Sequence, residues 1–118
     1  MNKVKVAKVN SENIEFDNGW TLSSDHSQDC CESHYLSFQD LTLSDFEGLE
    51  FNLANEEFFK RIDGYGIELV PVFGHSVRVP GYGYNNGYYS SDLDLILTDT
   101  NNNEVIRLDI SECQNIDG

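Results

Sequence analysis

The sequence has few basic residues, and that scarcity excludes several classes of partner. Only 7 of its 118 residues are lysine or arginine, whereas 21 are acidic, so the formal net charge is -14. Three of the seven bases, Lys3, Lys5 and Lys8, lie in the first eight residues, which leaves the remainder almost purely acidic. Such a surface repels phosphate backbones and anionic membranes, so we expect no direct nucleic-acid binding and no membrane binding. A basic partner surface would instead be attracted to it.

The chain also lacks the features of a secreted or disulfide-stapled protein. No apolar run follows its first residues, which predicts neither a signal peptide nor a membrane span and therefore a cytoplasmic location. The three cysteines, Cys30, Cys31 and Cys113, are odd in number, which argues against a disulfide framework. Cys30 and Cys31 are adjacent, closer than ordinary disulfide geometry allows. We therefore expect all three to be free thiols.

What the sequence does contain is a series of short segments in which apolar and polar residues alternate. Residues 12–23 predict a hairpin around the turn signal Asp17-Asn18-Gly19. Further strands are expected at residues 66–72, 76–79, 88–97 and 105–110, the last two joined by a polar turn at residues 98–103. Alternation of this kind is typical of an antiparallel sheet with one buried face.

One segment, residues 54–62, is the best helix candidate. Glu56 and Glu57 stand where a first turn favours acids, Lys60 and Arg61 where a last turn favours bases, and Asp63-Gly64 would end the helix. The expected fold is thus α+β, mainly an antiparallel β-sheet or partly open barrel of about seven short strands with one main helix. A single domain spans residues 1–118, with a mobile tail expected from about residue 111.

The first unusual segment is polar and runs from His26 to His34. His26, Cys30 and His34 are spaced by four, and Cys31 is adjacent, so zinc binding and thiol catalysis both have suitable residue types here. Neither is favoured, because adjacent cysteines are poor partners on one ion and the acidic neighbours raise a thiol pKa. We expect no metal and no cofactor. The competing structural interpretation is buried cysteines beside a polar turn.

The second unusual segment, residues 80–91, is rich in glycine, tyrosine and asparagine. Its glycines allow close approach of the backbone to a ligand, and its tyrosines offer rings for stacking on a base or sugar. The structural alternative is a tyrosine-rich hairpin with Asn86-Gly87 at its tip. Together the two segments predict one ligand site, with arginines supplying positive charge. Its candidate residues are Tyr82, Tyr84, Asn85, Asn86, Gly87, Tyr88, Tyr89, Arg78, Arg107, His26, Gln28 and Asp29.

A resemblance rests on both segments. The run His26-x-Gln28-Asp29-Cys30-Cys31-Glu32 and the run Asn85-Asn86-Gly87-Tyr88-Tyr89-Ser90, followed by a Leu-x-Leu strand, resemble a family of uncharacterised small phage and bacterial proteins. The resemblance covers roughly residues 12–115. It implies kinship and origin, and it implies no activity and no residue role.

These observations predict a non-enzymatic binding protein of a phage type that counters host defence. Its ligand would be a small nucleotide-like signalling molecule, sequestered in the host cytosol. Nucleotide hydrolysis is not expected, because no Walker-type Gly-Lys-Ser/Thr run occurs. One alternative is an acidic inhibitor that mimics nucleic acid and occupies a basic channel of a host protein, as some anti-CRISPR proteins do. A metal-binding protein or thiol enzyme is the other. A homo-oligomer is compatible with every alternative.

Overall fold

The computed structural model describes residues 3–25, 33–54, 56–84 and 93–117. Nearly all regular structure in these ranges is β-strand, and only two short 3₁₀ turns, Leu43–Phe46 and Glu56–Phe58, are helical. The strands are β1 (Lys3–Val4), β2 (Val6–Val9), β3 (Asn13–Phe16), β4 (Thr21–Asp25), β5 (Ser33–Leu36), β6 (Phe51–Asn52), β7 (Phe59–Ile62), β8 (Gly66–Leu69), β9 (Val77–Tyr84), β10 (Asp94–Thr98), β11 (Glu104–Asp109) and β12 (Asn115–Asp117).

The first sheet is antiparallel throughout, with strand order β11-β10-β4-β3-β2. The predicted hairpin is confirmed as β3 and β4, and Gly19 supplies the positive φ of 89° that their turn requires. The predicted turn between the last two strands of this sheet is also confirmed. There Asn102 adopts a φ of 64°, and the carboxylate of Asp99 accepts the backbone N–H groups of Asn101 and Asn103.

The second sheet is organised around β9, the longest strand. Its first half pairs with β8, which in turn pairs with β7. Its second half pairs antiparallel with β5 and parallel with β12. Pro80 O accepts the N–H of Ser37, whereas Gly81 N donates to Tyr65 O, and these two atoms of one trans peptide point in opposite directions. Strands β5 and β8 therefore lie on opposite edges of β9. A third, two-stranded sheet joins β1 to β6.

A single hydrophobic core receives side chains from both large sheets. Leu22 and Leu95 enter it from the first sheet, and Ile67 and Val79 enter it from the second. Leu95 and Leu97 of β10 and the preceding Leu93 are buried on one side as the pattern predicts, and Ile96 on the other side of the strand is buried as well. One side of each strand therefore faces a common interior, and the opposite side forms an outer face.

The main helix predicted at residues 54–62 is wrong. Glu56–Phe58 forms less than one full α-helical turn, and Phe59–Ile62 is strand β7. A helix of nine residues is marginal in water, whereas the extended chain pairs with β8 and buries the side chain of Phe59. Tertiary pairing overrides the charge pattern that suggested a helix.

The expected, mainly antiparallel β-sheet is confirmed. The described residues form twelve strands in three sheets that do not close into a barrel, which is more strands than the seven or so expected. Residues 111–117, predicted as a tail, include the buried Cys113 and Gln114 and strand β12. Within the described ranges no helix has the length and apolarity needed to cross a membrane.

Candidate functional site

The two segments predicted to bind a ligand are attached to the fold at neighbouring strand ends. Residues 26–32 connect β4 to β5, and residues 85–92 connect β9 to the segment that begins β10. Across the strands, Asp25 is opposite Asp94 and Ser33 is opposite Tyr84. The strand ends that flank the two segments are therefore adjacent in two pairs, one pair in each large sheet. The predicted ligand residues within them lie outside the described residues: His26, Gln28, Asp29, Asn85, Asn86, Gly87, Tyr88 and Tyr89.

Strand β4 and strand β5 also contact each other across the two sheets. The hydroxyl oxygen of Ser24 accepts the backbone N–H of Leu36 at 2.9 Å. This bond ties the end of the first sheet to the second sheet beside residues 26–32. Ser24 occupies an inward position where an apolar residue is usual. Its hydroxyl provides a hydrogen-bond acceptor for the backbone N–H of Leu36, which would otherwise lack a partner there.

Tyr82 and Tyr84, which the sequence assigned to a loop, belong to strand β9. Tyr82 is 40% exposed and lies opposite Tyr35 of β5, which is 46% exposed. Their ring centroids are 5.9 Å apart with the planes at 44°. An exposed aromatic pair of this kind presents two rings to solvent at a distance typical of aromatic contacts.

Sequence reasoning missed Tyr35 as a site residue. Nothing in the sequence reveals that the cross-strand partner of Tyr35 is Tyr82. The register that pairs them is set by β9, whose Val77 and Val79 side chains and whose Gly81 and Gly83 positions are buried. A Cβ atom at Gly81 would collide with the backbone oxygen of Cys113, so glycine there allows the segment before β12 to approach β9.

Arg78 lies on the same outer face of β9 as Tyr82, four residues earlier. Its guanidinium is 5.9 Å from the ring centroid of Tyr65, and its Nε is 3.7 Å from a carboxylate oxygen of Glu68. The Arg78 side chain is 65% exposed, so it is open to solvent despite these contacts. We call the outer surface formed by Tyr35, Tyr82, Tyr65 and Arg78 the tyrosine face.

Arg107 is placed elsewhere, in strand β11 of the first sheet. Its Nη1 donates to Asp94 Oδ2 at 2.6 Å, and its Nε donates to Glu104 Oε1, also at 2.6 Å. The hydrogen bond from Arg107 holds the pKa of Glu104 below its usual value. The structure therefore brings Tyr82 and Arg78 together on one sheet and places Arg107 on the other.

The carboxylate of Asp109 is engaged locally. It accepts hydrogen bonds from the hydroxyl and the backbone N–H of Ser111, the latter at 2.8 Å, and these bonds lower the pKa of Asp109. Asp109 is directly opposite Asp94, which is in turn opposite Asp25. Three acidic residues thus stand side by side on the first sheet, at the end where the predicted segments attach.

The only cysteine that the structure describes, Cys113, has a fully buried, unbridged thiol. Burial, with help from the charge of Glu112, raises the pKa of Cys113 to about 11. A thiol protonated at neutral pH is a poor nucleophile. Cys30 and Cys31 lie outside the described residues, and within the described ranges no group of three metal-ligating side chains could hold an ion.

A cavity of about 660 Å³ borders strand β7 at the side of the second sheet. Its walls include Asn52, Phe58, Phe59, Lys60 and Pro71, and neither Tyr35 nor Tyr82 lines it. Lys60 is opposite Glu68 and so lies in one cross-strand row with Arg78.

Comparison with known proteins adds no relative. No protein-family model, curated protein or solved structure matches this chain. The resemblance to small phage and bacterial proteins therefore stays a prediction.

Proposed function

We propose that this protein is a non-enzymatic binding protein that sequesters a small nucleotide-like ligand. The observation that carries the proposal is the exposed Tyr35–Tyr82 pair, which lies on the strands that lead into both polar segments. Stacking on aromatic side chains accepts any base, because every base has a π-face. The neighbouring residues 26–32 and 85–92 carry the amide, imidazole and phenol groups suited to hydrogen-bonding its edges.

The ligand's negative charge must be accommodated by a protein of net charge -14. Arg78 is the described base best placed for this, because it is exposed and shares the outer face of β9 with Tyr82. Arginine can hold a phosphate through two parallel hydrogen bonds. Backbone N–H groups of the glycine-rich segment are a second source of positive potential.

The biological setting follows from the resemblance of the two motifs and from the small size of the chain. We propose a phage-type anti-defence protein that acts in the host cytosol by withdrawing a signalling nucleotide from its effector. No catalytic step is invoked, because sequestration requires only affinity. Retention of a small molecule through purification, detected by mass spectrometry of the native protein, would identify the ligand class.

The test compares two tyrosine substitutions with a control substitution of another aromatic residue. Tyr82→Ala and Tyr88→Ala are expected to abolish ligand binding while leaving the melting temperature nearly unchanged. Phe73→Ala is the matched control, because Phe73 is an exposed aromatic residue in the connection between β8 and β9. Folded Tyr82 and Tyr88 variants that bind as the wild type does would place the site elsewhere. Variants that unfold would show that these tyrosines serve the structure.

A second candidate function, an acidic inhibitor of a basic host protein, is supported by residues 40–50. This segment carries Asp40, Asp45, Glu47 and Glu50, and none of the described lysines or arginines forms an ion pair with them. Four unneutralised carboxylates on one connection would attract a basic surface. Complex formation with such a partner should weaken steeply with added salt, because exposed charges are screened beyond about 8 Å at physiological ionic strength. A complex insensitive to salt would rule this candidate out.

A further inference from the structure

A second cavity, separate from the tyrosine face, opens between β1 and the turn that joins β3 to β4. Its volume is about 520 Å³, which is in the range of small-molecule sites. Its walls come from β1, from that turn and from the residues that follow β6. None of the residues of the tyrosine face lines it. A ligand here would therefore be independent of the nucleotide proposed for that face.

Part of the cavity wall is apolar. Val4 and Leu53 line it, and both are almost fully buried, at 7% and 4% exposure. Trp20 also lines it, and this side chain packs against the hydrophobic core while it stays partly exposed. An indole ring presents a large flat surface on which another aromatic ring can stack. The wall therefore favours a ligand with a flat apolar body.

The polar groups that line the cavity are mainly hydrogen-bond donors. Lys3 contributes an ammonium group, Asn18 an amide and Trp20 an indole N–H. The Oδ1 atom of Asn18 already accepts the backbone N–H of Trp20 at 3.0 Å, which leaves the amide NH₂ group to donate. None of these three side-chain donors has an acceptor among the residues that the structure describes. They are available to acceptor atoms of a ligand.

One carboxylate, that of Asp17, also lines the cavity. Its Oδ1 atom accepts the backbone N–H of Lys5 at 3.3 Å, and the backbone N–H of Asp17 donates to Lys5 O at 2.8 Å. These bonds explain Asp17 by its part in the turn. Three available donors beside one engaged acceptor favour a ligand that itself carries acceptors.

Positive charge is concentrated beside this cavity. Lys3, Lys5 and Lys8 are three of the seven basic residues of the chain. Of these three, only Lys8 forms an ion pair with a described residue, Glu15, at 4.0 Å. The exposed ammonium of Lys3 can therefore hold an anionic group through charge-assisted hydrogen bonds. An anion is better accommodated here than on most of this acidic surface.

We propose that this cavity binds a small carboxylic acid with an aromatic body, its ring against Trp20 and its carboxylate at Lys3 and the amide of Asn18. The inference goes beyond the proposed function and does not depend on it. A carboxylate accepts several hydrogen bonds at once, which matches the donors on the wall. A neutral or cationic group of the same shape would leave Lys3 without a counterion.

Titration with phenylpropionate, followed by the fluorescence of Trp20, tests the proposal, because Trp20 is the only tryptophan of the chain. We expect a saturable change in emission at millimolar concentration or below. Phenylpropanamide and phenylpropylamine keep the ring but are neutral and cationic, so they should bind at least about tenfold more weakly. A dipeptide that ends in phenylalanine carries the same ring and carboxylate on a peptide, and it should bind more weakly than the free acid.

Two lysine variants locate the carboxylate. Lys3→Gln should weaken phenylpropionate binding by about tenfold, the loss typical of a charged hydrogen-bond partner. Lys8→Gln is the matched control, because it removes the same charge from an exposed lysine that does not line the cavity. It should change the affinity by less than about twofold, since salt screens a charge at that distance. Melting temperatures of both variants verify folding.

The outcomes that would overturn the proposal are distinct. An amide that binds as tightly as the acid, or equal losses in the two lysine variants, would refute the placement of a carboxylate at Lys3. Tighter binding of the dipeptide would assign the cavity to a peptide C-terminus instead of a free acid. Absence of phenylpropionate binding at millimolar concentration would refute the site as a whole and leave nucleotide binding at the tyrosine face untouched.

Discussion

The outer faces of the two sheets use arginine in opposite ways. On the first sheet, Arg107 is held between Asp94 and Glu104 by contacts of 2.6 Å, beside the row of acids that Asp109 extends. On the second sheet, Arg78 lies over Tyr65 and contacts its nearest carboxylate only at 3.7 Å. The first face satisfies its own charges, whereas the second presents rings and an accessible cation.

This difference shows why the position of an arginine in a fold matters more than its presence in a sequence. Arg78 precedes the glycine-rich segment and Arg107 follows it, and the sequence analysis names both as candidates for the same site. Donors that already hold two carboxylates must release them before binding a phosphate, which costs affinity. The tyrosine face is therefore better suited than the outer face of the first sheet to bind an anionic ligand.

The largest effect is expected where the second sheet depends on a close approach of strands. A Cβ atom at Gly66 would overlap the backbone oxygen of Val79, so Gly66→Ala should destabilise the protein by about 3 kcal/mol or more, as measured by urea unfolding. Gly64→Ala adds the same methyl group in open space at a φ of 73° and should cost only about 1 kcal/mol. Equal losses would show that packing between β8 and β9 is looser than described.

The buried thiol between the sheets should make stability fall at alkaline pH. Cys113 keeps its proton in the folded protein up to about pH 11, whereas the unfolded thiol releases it above about pH 8.5. Unfolded chains then bind fewer protons than folded ones, so the free energy of unfolding falls by roughly 3 kcal/mol across this window. Cys113→Ala should remove that part of the slope, judged against wild type at each pH. Identical slopes would contradict the assignment to this thiol.

The contrast between the two arginines is tested directly by ligand affinity. Arg78→Gln should weaken binding of a nucleotide ligand by about tenfold, the range for a charged hydrogen-bond donor. Arg107→Gln should change it by less than about threefold, because its guanidinium already serves Asp94 and Glu104. If Arg107→Gln proves the more harmful of the two, the site belongs to the first sheet and the contrast is reversed.

The smallest effect concerns the tyrosine pair itself. A double-mutant cycle with Tyr35→Ala and Tyr82→Ala should give a coupling energy of about 0.5–1 kcal/mol in unfolding experiments, typical of cross-strand aromatic pairs. A coupling near zero would mean that the rings do not contact each other in the free protein. A value well above this range would indicate a structural role for the pair.

The sequence predicted the hairpins well and the helix badly, for related physical reasons. Asp17-Asn18-Gly19 specifies a turn by local chemistry, and the alternation of Leu93, Leu95 and Leu97 specifies a buried face. The charges of residues 54–62 also suggested a local preference, but pairing with β8 decides that segment. Local signals predict structure where no distant strand competes for the same residues.

Part of the candidate site could not be predicted from the sequence, because it depends on pairing between strands that are distant in the chain. Tyr82 is a candidate because its surroundings are rich in glycine and tyrosine, whereas Tyr35, 47 positions earlier, lies outside both unusual segments. Only the register of β5 on β9 joins them. Tyr65 and Arg78 likewise meet across a turn whose path depends on the pairing of β7, β8 and β9.

The chain passes between the two large sheets three times, through residues 26–32, 85–92 and 110–114, and all three passages join the first sheet at the same end, next to Asp25, Asp94 and Asp109. A ligand that bridges the first two passages would oppose separation of the sheets. Its binding should then slow unfolding and suppress amide hydrogen exchange in both sheets together, although its contacts lie at one edge. Occupancy would in this way slow proteolysis within the strands, because cleavage there requires the sheets to open.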